Sequence, residues 1–225
     1  LIIMSLILNI DTAFDEAGIC LADNGSILYK ETHAQFKDHA TWLHPAIATL
    51  LKKNNCSIND LHAIAVNNGP GSYTGLRVGL AAAKGFCFAT GIPLITISSL
   101  QILANAVKEK ATDFICPMID ARRMEVFTAL YDKQLNIIQA PHALIIDKNS
   151  FDTVLANKEI LFCGNAINKV QPVIASPNAQ YINTKTEIEE MAKISADFFH
   201  QSAFADLAYA EPFYVKDFYS PSIKK

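Results

Sequence analysis

The chain has 225 residues, of which 51% are hydrophobic and 18% charged, and its formal net charge is −3. This composition excludes an intrinsically disordered chain and a broad basic surface for binding nucleic acid. The length suits one large domain or two small ones. Five cysteines, an odd number without a C-x-x-C pair, indicate reduced thiols in a cytoplasmic protein; they are Cys20, Cys56, Cys87, Cys116 and Cys163.

The first half of the chain predicts three strands followed by alternating helices and strands. The apolar N-terminal stretch is short and is interrupted by Asp11, so it predicts a strand over 5–10 rather than a signal peptide or a membrane span. Strands over 17–21 and 26–31 are joined by an Asp-Asn-Gly hairpin turn. The elements expected next are a helix over 38–54, a strand over 61–66, a helix over 76–90, a strand over 94–97 and a helix over 100–110.

The second half partly repeats this order. A strand over 114–119 ends at Asp120, as the first strand ends at Asp11. The elements expected after it are strands over 125–131 and 135–140, a helix over 151–156, strands over 160–163 and 180–182, and a helix over 186–204. Two strand meanders, each followed by α/β units, predict a duplicated α/β architecture. The boundary divides an N-terminal subdomain, 1–110, from a smaller C-terminal α/β subdomain, 111–225.

A glycine-dense segment, Asn67–Gly79, links an apolar strand to a helix. Its glycines miss the spacing of the dinucleotide fingerprint by one residue, and no lysine follows in the register of a P-loop. Two interpretations remain, a structural turn and a generic anion site at the start of the helix. The spacing favours the turn; Ser72, Thr74 and Arg77 are the candidate anion contacts.

The helix after this loop has one side of small residues, Gly75, Gly79, Ala82 and Ala83, with Phe86 further along. Small residues at i, i+4 spacing let another helix approach closely. The neighbour is either an element of the same fold or a partner chain. The preceding helix carries an apolar stripe that includes Leu43, Ile47 and Leu50, so the two helices together are a candidate partner surface.

Titratable residues give weaker signals. His39 and His44 lie five residues apart, on different sides of a helix, which disfavours a helical zinc pair. Asp11 and Asp120 end apolar strands, where ligand crevices open in α/β folds. The segment Asp120–Glu125 contains two arginines and predicts either a salt-bridged hairpin or an anion contact. No Ser/His/Asp or Cys/His arrangement stands out.

Several segments together resemble one family. They are Ile7-Leu-Asn-Ile-Asp-Thr12, Asn67-Asn-Gly-Pro-Gly-Ser-Tyr-Thr-Gly-Leu-Arg77, Gly91-Ile-Pro93 with Ser98-Ser-Leu100, Asp120-Ala-Arg-Arg-Met-Glu-Val126 and Glu211-Pro-Phe-Tyr214. In this order they resemble the TsaB family, also called YeaZ, over nearly the whole chain. The resemblance implies the duplicated fold shared by actin, sugar kinases and heat-shock chaperones, with two subdomains that each carry a mixed sheet opened by an antiparallel meander.

The resemblance also implies a function in tRNA threonylcarbamoyladenosine modification, at the adenosine beside the anticodon. The implied partners are the paralogous transferase TsaD, which holds its metal through two histidines of one helix, the ATPase TsaE, and tRNA through the complex. This chain lacks such a histidine pair, so the implied role is a non-catalytic scaffold or activator that binds no metal. No cofactor is expected in this chain alone; ATP or ADP at the complex interface remains an option.

In the family the pairing surface is built from the two helices of the first subdomain. That surface maps onto Leu43, Ile47, Leu50, Gly75, Gly79, Ala82, Ala83 and Phe86. A homodimer is expected when the chain is isolated, and no membrane contact is expected. Two alternatives stay open: an ATPase or kinase-like enzyme that uses Asp11 and the glycine loop, and a zinc-dependent metallopeptidase of the glycoprotease type.

Overall fold

The structure is a computed structural model that describes residues 5–34 and 38–216. The first residues of the N-terminal apolar stretch, Leu1–Met4, and the lysine-containing end of the tail lie outside the described residues. The first sheet contains β1 (Leu6–Asp11), β2 (Ala17–Asp23), β3 (Ser26–His33), β4 (Ala63–Gly69) and β5 (Leu94–Ser98). Its helices are α1 (His39–Lys53), α2 (Tyr73–Thr90) and α3 (Ser99–Asn105).

The second sheet contains β6 (Phe114–Asp120), β7 (Glu125–Asp132), β8 (Ile137–Ile145), β9 (Ile160–Gly164) and β10 (Ala179–Asn183). Two short helices, α4 (Asp152–Leu155) and α5 (Ile167–Val170), accompany it, and α6 (Ile188–His200) follows. Short 3₁₀ turns lie at Ile58–Asp60 and Lys108–Lys110.

The two sheets share one topology. The first has the order β3-β2-β1-β4-β5 and the second β8-β7-β6-β9-β10. In each sheet the first three strands are antiparallel, and the last two run parallel to the central strand. This repeat confirms the predicted duplicated α/β fold. It places the carboxyl ends of the two central strands, β1 and β6, in equivalent positions.

Helices cover the first sheet on both faces. Apolar side chains of α1 and α2 pack on one face, and the buried stripe of α6 packs on the other, against strands β1 and β5. Helix α6 therefore belongs to the core of the first sheet, although it follows the second sheet in sequence. Helix α3 contributes Ile102 to the first sheet's core and Leu103 to the second sheet's core. The subdomain boundary near residue 110 stays a prediction.

Several element bounds differ from the expected ones. Helix α2 begins at Tyr73 rather than at 76, because the Ser72 hydroxyl accepts a hydrogen bond from Gly75 N and caps the first turn. Helix α3 ends at Asn105 instead of 110, and α6 begins at Ile188. Strand β8 extends to Ile145, beyond the expected end at 140. Helix α5 was not expected.

The C-terminal segment returns to the first sheet and crosses α2. Ala205 N donates to Leu94 O at 2.8 Å, and Phe213 N donates to Asn68 O at 2.7 Å. Between these points Lys84 Nζ donates to the carbonyl oxygens of Ala208 and Ala210. Within residues 5–34 and 38–216, no helix has the length and apolar character needed to cross a membrane.

Candidate functional site

A cleft of about 770 Å³ opens between the two sheets. One wall is formed by the β1–β2 loop, the N-terminus of α2 and the segment before α6. The other wall is formed by the ends of β6 and β7. Asp11 and Asp120 both line it, because they end the equivalent central strands β1 and β6. The expectation that these two carboxylates lie at a crevice is confirmed.

Asp11 is buried at the base of the cleft. Its carboxylate accepts hydrogen bonds from Ala13 N at 2.9 Å and from Asn67 Nδ2 at 3.0 Å. Burial raises the pKa of Asp11, and these hydrogen bonds offset only part of that effect. Asn67 is held in turn by Ser99, whose hydroxyl donates to Asn67 Oδ1 at 2.8 Å. Asp11 therefore belongs to a hydrogen-bond network that joins β1, β4 and α3.

The glycines of the segment Asn67–Gly79 serve close packing. Ser72 N donates to Ala13 O at 2.7 Å, and the Thr12 hydroxyl donates to Gly75 O at 2.7 Å. A Cβ atom added at Gly71, Gly75 or Gly79 would collide with Thr12 or Ala13. The glycines thus let α2 lie directly against the β1–β2 loop, which supports the interpretation as a structural turn.

The candidate anion contacts do not form one cluster. Asp11 and Ser72 line the cleft, but Thr74 and Arg77 are not among the residues that line it. Arg77 lies with its guanidinium carbon 4.0 Å from the centroid of the Tyr73 ring, and its Nε donates to the Tyr214 hydroxyl. The N–H groups of Ser72, Gly75 and Leu76 already have protein acceptors.

The β6–β7 hairpin forms the opposite rim of the cleft. Asp120 accepts from Lys169 Nζ at 2.5 Å and from Arg122 N at 2.7 Å. Burial raises the pKa of Asp120, but these two hydrogen bonds and the charge of Lys169 outweigh it and hold the pKa below its usual value. The salt-bridge interpretation of this hairpin is therefore corrected in one respect. The partner of the acid is Lys169 of α5, and not either arginine of the motif.

The cleft has a net acidic lining. Six carboxylates line it: Asp11, Asp15, Glu16, Asp120, Glu187 and Glu189. Three cations line it as well: Lys30, Arg122 and Lys185. Lys30 pairs with Glu189, and Lys185 pairs with Glu16. The loop after Asp11, Thr12-Ala-Phe-Asp-Glu16, carries two further acids and no glycine. This lining disfavours a free nucleoside triphosphate inside the cleft.

The described residues hold no group of three or more His, Cys, Asp or Glu side chains that could bind a metal ion. His39 is buried, with its Nε2 atom 3.0 Å from Phe14 O. His44 is exposed, and its ring packs edge-on against Phe86 at 5.6 Å. All five cysteines are free thiols. Burial raises the pKa of Cys116 to about 12, which keeps that thiol protonated and unreactive.

The predicted partner surface is mostly in the protein interior. Its buried members are Leu43, Ile47, Leu50, Gly75, Gly79, Ala82 and Ala83, and of these only Ala82 also lines the groove on the solvent side of the helices. The three α1 side chains pack in the core of the first sheet, and the two glycines contact the β1–β2 loop. The other six offer no surface to a partner in this conformation, so the assignment of those six to a partner surface is corrected. These residues are buried because the first sheet lies beneath the two helices and packs against the small-residue side of α2.

The solvent side of α1 and α2 forms a shallow uncharged groove, lined by Ala40, His44, Val78, Ala81, Ala82, Gly85 and Phe86. Ala82 and Phe86 are the only members of the predicted surface that line it. A Cβ atom at Gly85 would meet no atom within 4 Å, so nothing in the described chain requires glycine there. Phe88, one turn further on, has 84% of its surface exposed. An apolar helix face left open in this way is typical of an interaction site.

Sequence reasoning missed Lys169 and the exposed side of α2. Ala81 and Gly85 repeat the i, i+4 spacing of Gly75 and Gly79 on a different side of the helix, about 120° away around its axis. That second small-residue row was a signal that could have been found. Nothing local to Lys169 indicates its contact with Asp120, because the two residues are 49 positions apart.

Comparisons with known proteins agree on one family. The model described as "TsaD: tRNA N6-adenosine threonylcarbamoyltransferase" matches residues 25–218. The tRNA threonylcarbamoyladenosine biosynthesis protein TsaB of Bacillus subtilis is 35% identical over 133 residues, which cover 59% of this chain and 58% of that protein. TsaB of Escherichia coli is 31% identical, over 58% of this chain and 56% of that protein. The match thus spans little more than half the length of these relatives.

A solved structure from Pseudomonas aeruginosa, described as similar to peptidase YEAZ, superposes with a TM-score of 0.82 at 23% identity. It covers 95% of this chain and 100% of that chain. A second structure, YeaZ from the same organism, has a TM-score of 0.79 at 23% identity, over 94% of this chain and 100% of that chain. At this level of identity the similarity shows a shared fold.

Proposed function

Since the chain belongs to the TsaB/YeaZ family and matches the TsaD family model over most of its length, we propose that it is a non-catalytic subunit of a tRNA threonylcarbamoyladenosine modification complex. In this role it binds a TsaD-type transferase and supports its activity. The names of the relatives support the pathway. The division of roles is supported by the site geometry, because Asp11 is hydrogen-bonded to Ala13 and Asn67 of its own chain and the cleft has an acidic lining.

The observation that carries the binding role is the uncharged groove on the solvent side of α1 and α2. The partner that suits it is a transferase of the same fold that presents its own equivalent pair of helices. Gly85 and Ala81 allow a helix to approach closely, and Val78 and Phe86 provide apolar contact area. Exposed Phe88 extends the apolar surface at one end of the groove.

Co-purification with a tagged TsaD-type transferase tests this proposal. Ala81→Arg places a charge in the groove, and burial of that charge without a partner should weaken the complex about 100-fold or more. Ala156→Arg, an exposed alanine beside α4, is the matched control and should leave the complex unchanged. Gly79→Arg is unsuitable, because a side chain there would meet Thr12 and disturb the fold. A complex that keeps full affinity with a folded Ala81→Arg variant would place the partner elsewhere.

A nucleotide, where one takes part, is proposed to lie at the junction with the partner rather than in this chain alone. The six carboxylates around the cleft support this placement. In the same proposal the ATPase TsaE joins the assembly, and tRNA reaches this subunit through the complex. Calorimetry with ATP and Mg²⁺ should show no binding to the isolated chain at millimolar concentration. Binding by the isolated chain would instead favour the ATPase or kinase-like alternative.

A further inference from the structure

We propose that the tip of the β6–β7 hairpin, Arg122 and Arg123, contacts the phosphodiester backbone of the RNA that the complex binds. This inference rests on the proposed function in tRNA modification. It assigns a place on this chain where RNA phosphates would lie, on a protein whose overall charge is negative.

The charge balance of the hairpin is the first observation. The motif contains two acids and two arginines, but both acids are neutralised from elsewhere in the chain. Asp120 pairs with Lys169, and Glu125 pairs with Lys216 at 2.6 Å. Among the described residues four cations therefore face two carboxylates, which leaves a local excess of two positive charges. Neither arginine forms an ion pair within residues 5–34 and 38–216.

The backbone of the tip is the second observation. Arg122 and Arg123 both have positive φ angles, 70° and 50°. This backbone conformation is unfavourable for residues other than glycine, asparagine and aspartate. The hairpin keeps this shape because Lys169 Nζ donates to Arg123 O at 2.9 Å and to Glu125 O at 2.7 Å. Both side chains are exposed. The partly buried side chain of Lys169 thus fixes a tip that presents two arginines to solvent.

The two arginines are arranged for an extended polyanion rather than for one small anion. Arg122 lines the cleft and Arg123 does not, so the guanidinium groups are not directed at a common point in the cleft. The cleft beside Arg122 has an acidic lining, which disfavours a free nucleotide there. Successive phosphates of an RNA strand passing over the rim would meet both groups. Arginine contacts of this kind position a nucleic acid without reading its sequence.

The test measures binding of an unmodified tRNA transcript by the assembled complex over a series of salt concentrations. The variants are Arg122→Ala/Arg123→Ala, the charge-conserving Arg122→Lys/Arg123→Lys, and Lys110→Ala. Lys110 is an exposed cation that precedes the opposite end of β6, roughly 20 Å from the hairpin, and it serves as the matched control. Assembly with the transferase is measured separately for every variant.

The double alanine variant should assemble normally and bind tRNA about 10-fold more weakly at 0.1 M salt. The slope of log affinity against log salt should become shallower by about two, because two phosphate contacts are lost. The double lysine variant should keep most of the wild-type slope, and Lys110→Ala should equal wild type. An unchanged slope in the double alanine variant, an equal loss in Lys110→Ala, or a loss of assembly would each overturn the inference.

Failure of the proposed function gives a different result, because wild-type chain would then not assemble with the transferase. The isolated chain is titrated with the same tRNA in parallel. In that case the isolated chain decides the matter: a slope of log affinity against log salt that becomes shallower in the double alanine variant would support the phosphate contact by itself. A slope without arginine dependence would overturn it.

Discussion

Thr12 and Gly75 join the first strand of the chain to the first turn of α2. The Thr12 hydroxyl donates to the carbonyl oxygen of Gly75 at 2.7 Å, and the Thr12 backbone occupies the space where a Gly75 side chain would lie. This contact explains the glycine-dense segment without a ligand. It also fixes which side of α2 faces the sheet and which side faces solvent.

Gly75→Ala should lower the free energy of unfolding by about 2–3 kcal/mol, because the new methyl group would force the Thr12 backbone to move. Gly85→Ala is the matched control in the same helix. No atom lies within 4 Å of its added Cβ, so it should raise the stability of the isolated chain by about 0.5–1 kcal/mol. Urea denaturation measures both. Equal effects of the two substitutions would contradict this account of the glycines.

Asp11→Asn should change how stability depends on pH. Burial raises the folded-state pKa of Asp11, so the unfolded chain loses this proton first as pH rises. Ionisation of Asp11 therefore costs stability at neutral pH. The cost is absent below the unfolded value of about 3.8, grows as pH rises through the folded pKa and is constant above it. Between the unfolded and the folded pKa of Asp11, the free energy of unfolding of the variant should therefore rise relative to that of wild type. Denaturation measurements across pH test this.

Asp60→Asn provides a comparison of opposite sign. Hydrogen bonds from the Ser57 N–H and hydroxyl hold the pKa of Asp60 below its usual value. Its contribution to stability is therefore present above the unfolded value and is lost as pH falls through the folded pKa. This variant should be less stable than wild type at neutral pH, and the difference should vanish in acid. Parallel pH profiles for the Asp11 and Asp60 variants would contradict both assignments.

Local patterns in the sequence were sufficient for the duplicated fold and for the order of the helices and strands other than α5. Apolar runs, the hairpin turn near Asn24 and the repeat of a strand ending in aspartate all report short-range structure. The orientation of α2 is different in kind, because it depends on a contact between Thr12 and Gly75, which are 63 residues apart. A helix side made of small residues has the same sequence pattern whether it packs on the sheet of its own chain or on a partner chain.

The site shows the same limit. Asp11 and Asp120 were predictable as crevice residues because both end central strands. The pairing of Asp120 with Lys169 was not, since the nearest cations in sequence are Arg122 and Arg123. In the structure Asp120 forms an ion pair with the more distant Lys169, and both arginines are exposed. Which cation neutralises an acid is decided by tertiary packing.

Lys169→Met should loosen the β6–β7 hairpin. It removes three hydrogen bonds, to Asp120, Arg123 O and Glu125 O, and the expected loss of stability is about 1–2 kcal/mol, because the Asp120 side chain is 45% exposed. Hydrogen exchange of the amides of residues 121–125 should become faster. Lys158→Met is the control: its ion pair with Asp113 joins side chains that are 52% and 34% exposed, and its removal should cost less stability than Lys169→Met does. An unchanged exchange rate in Lys169→Met would mean that other contacts hold the tip.

The isolated chain is expected to self-associate through the groove on α1 and α2. In a twofold dimer each groove would face its copy, so Ala81 and Gly85 of one chain would lie near the same residues of the other. Light scattering at high protein concentration should show a dimer for wild type and for Ala156→Arg. Ala81→Arg should be a monomer, because two like charges would be buried together at the centre of the contact. A monomeric wild type, or a dimer that survives Ala81→Arg, would show that this face does not join copies of the chain.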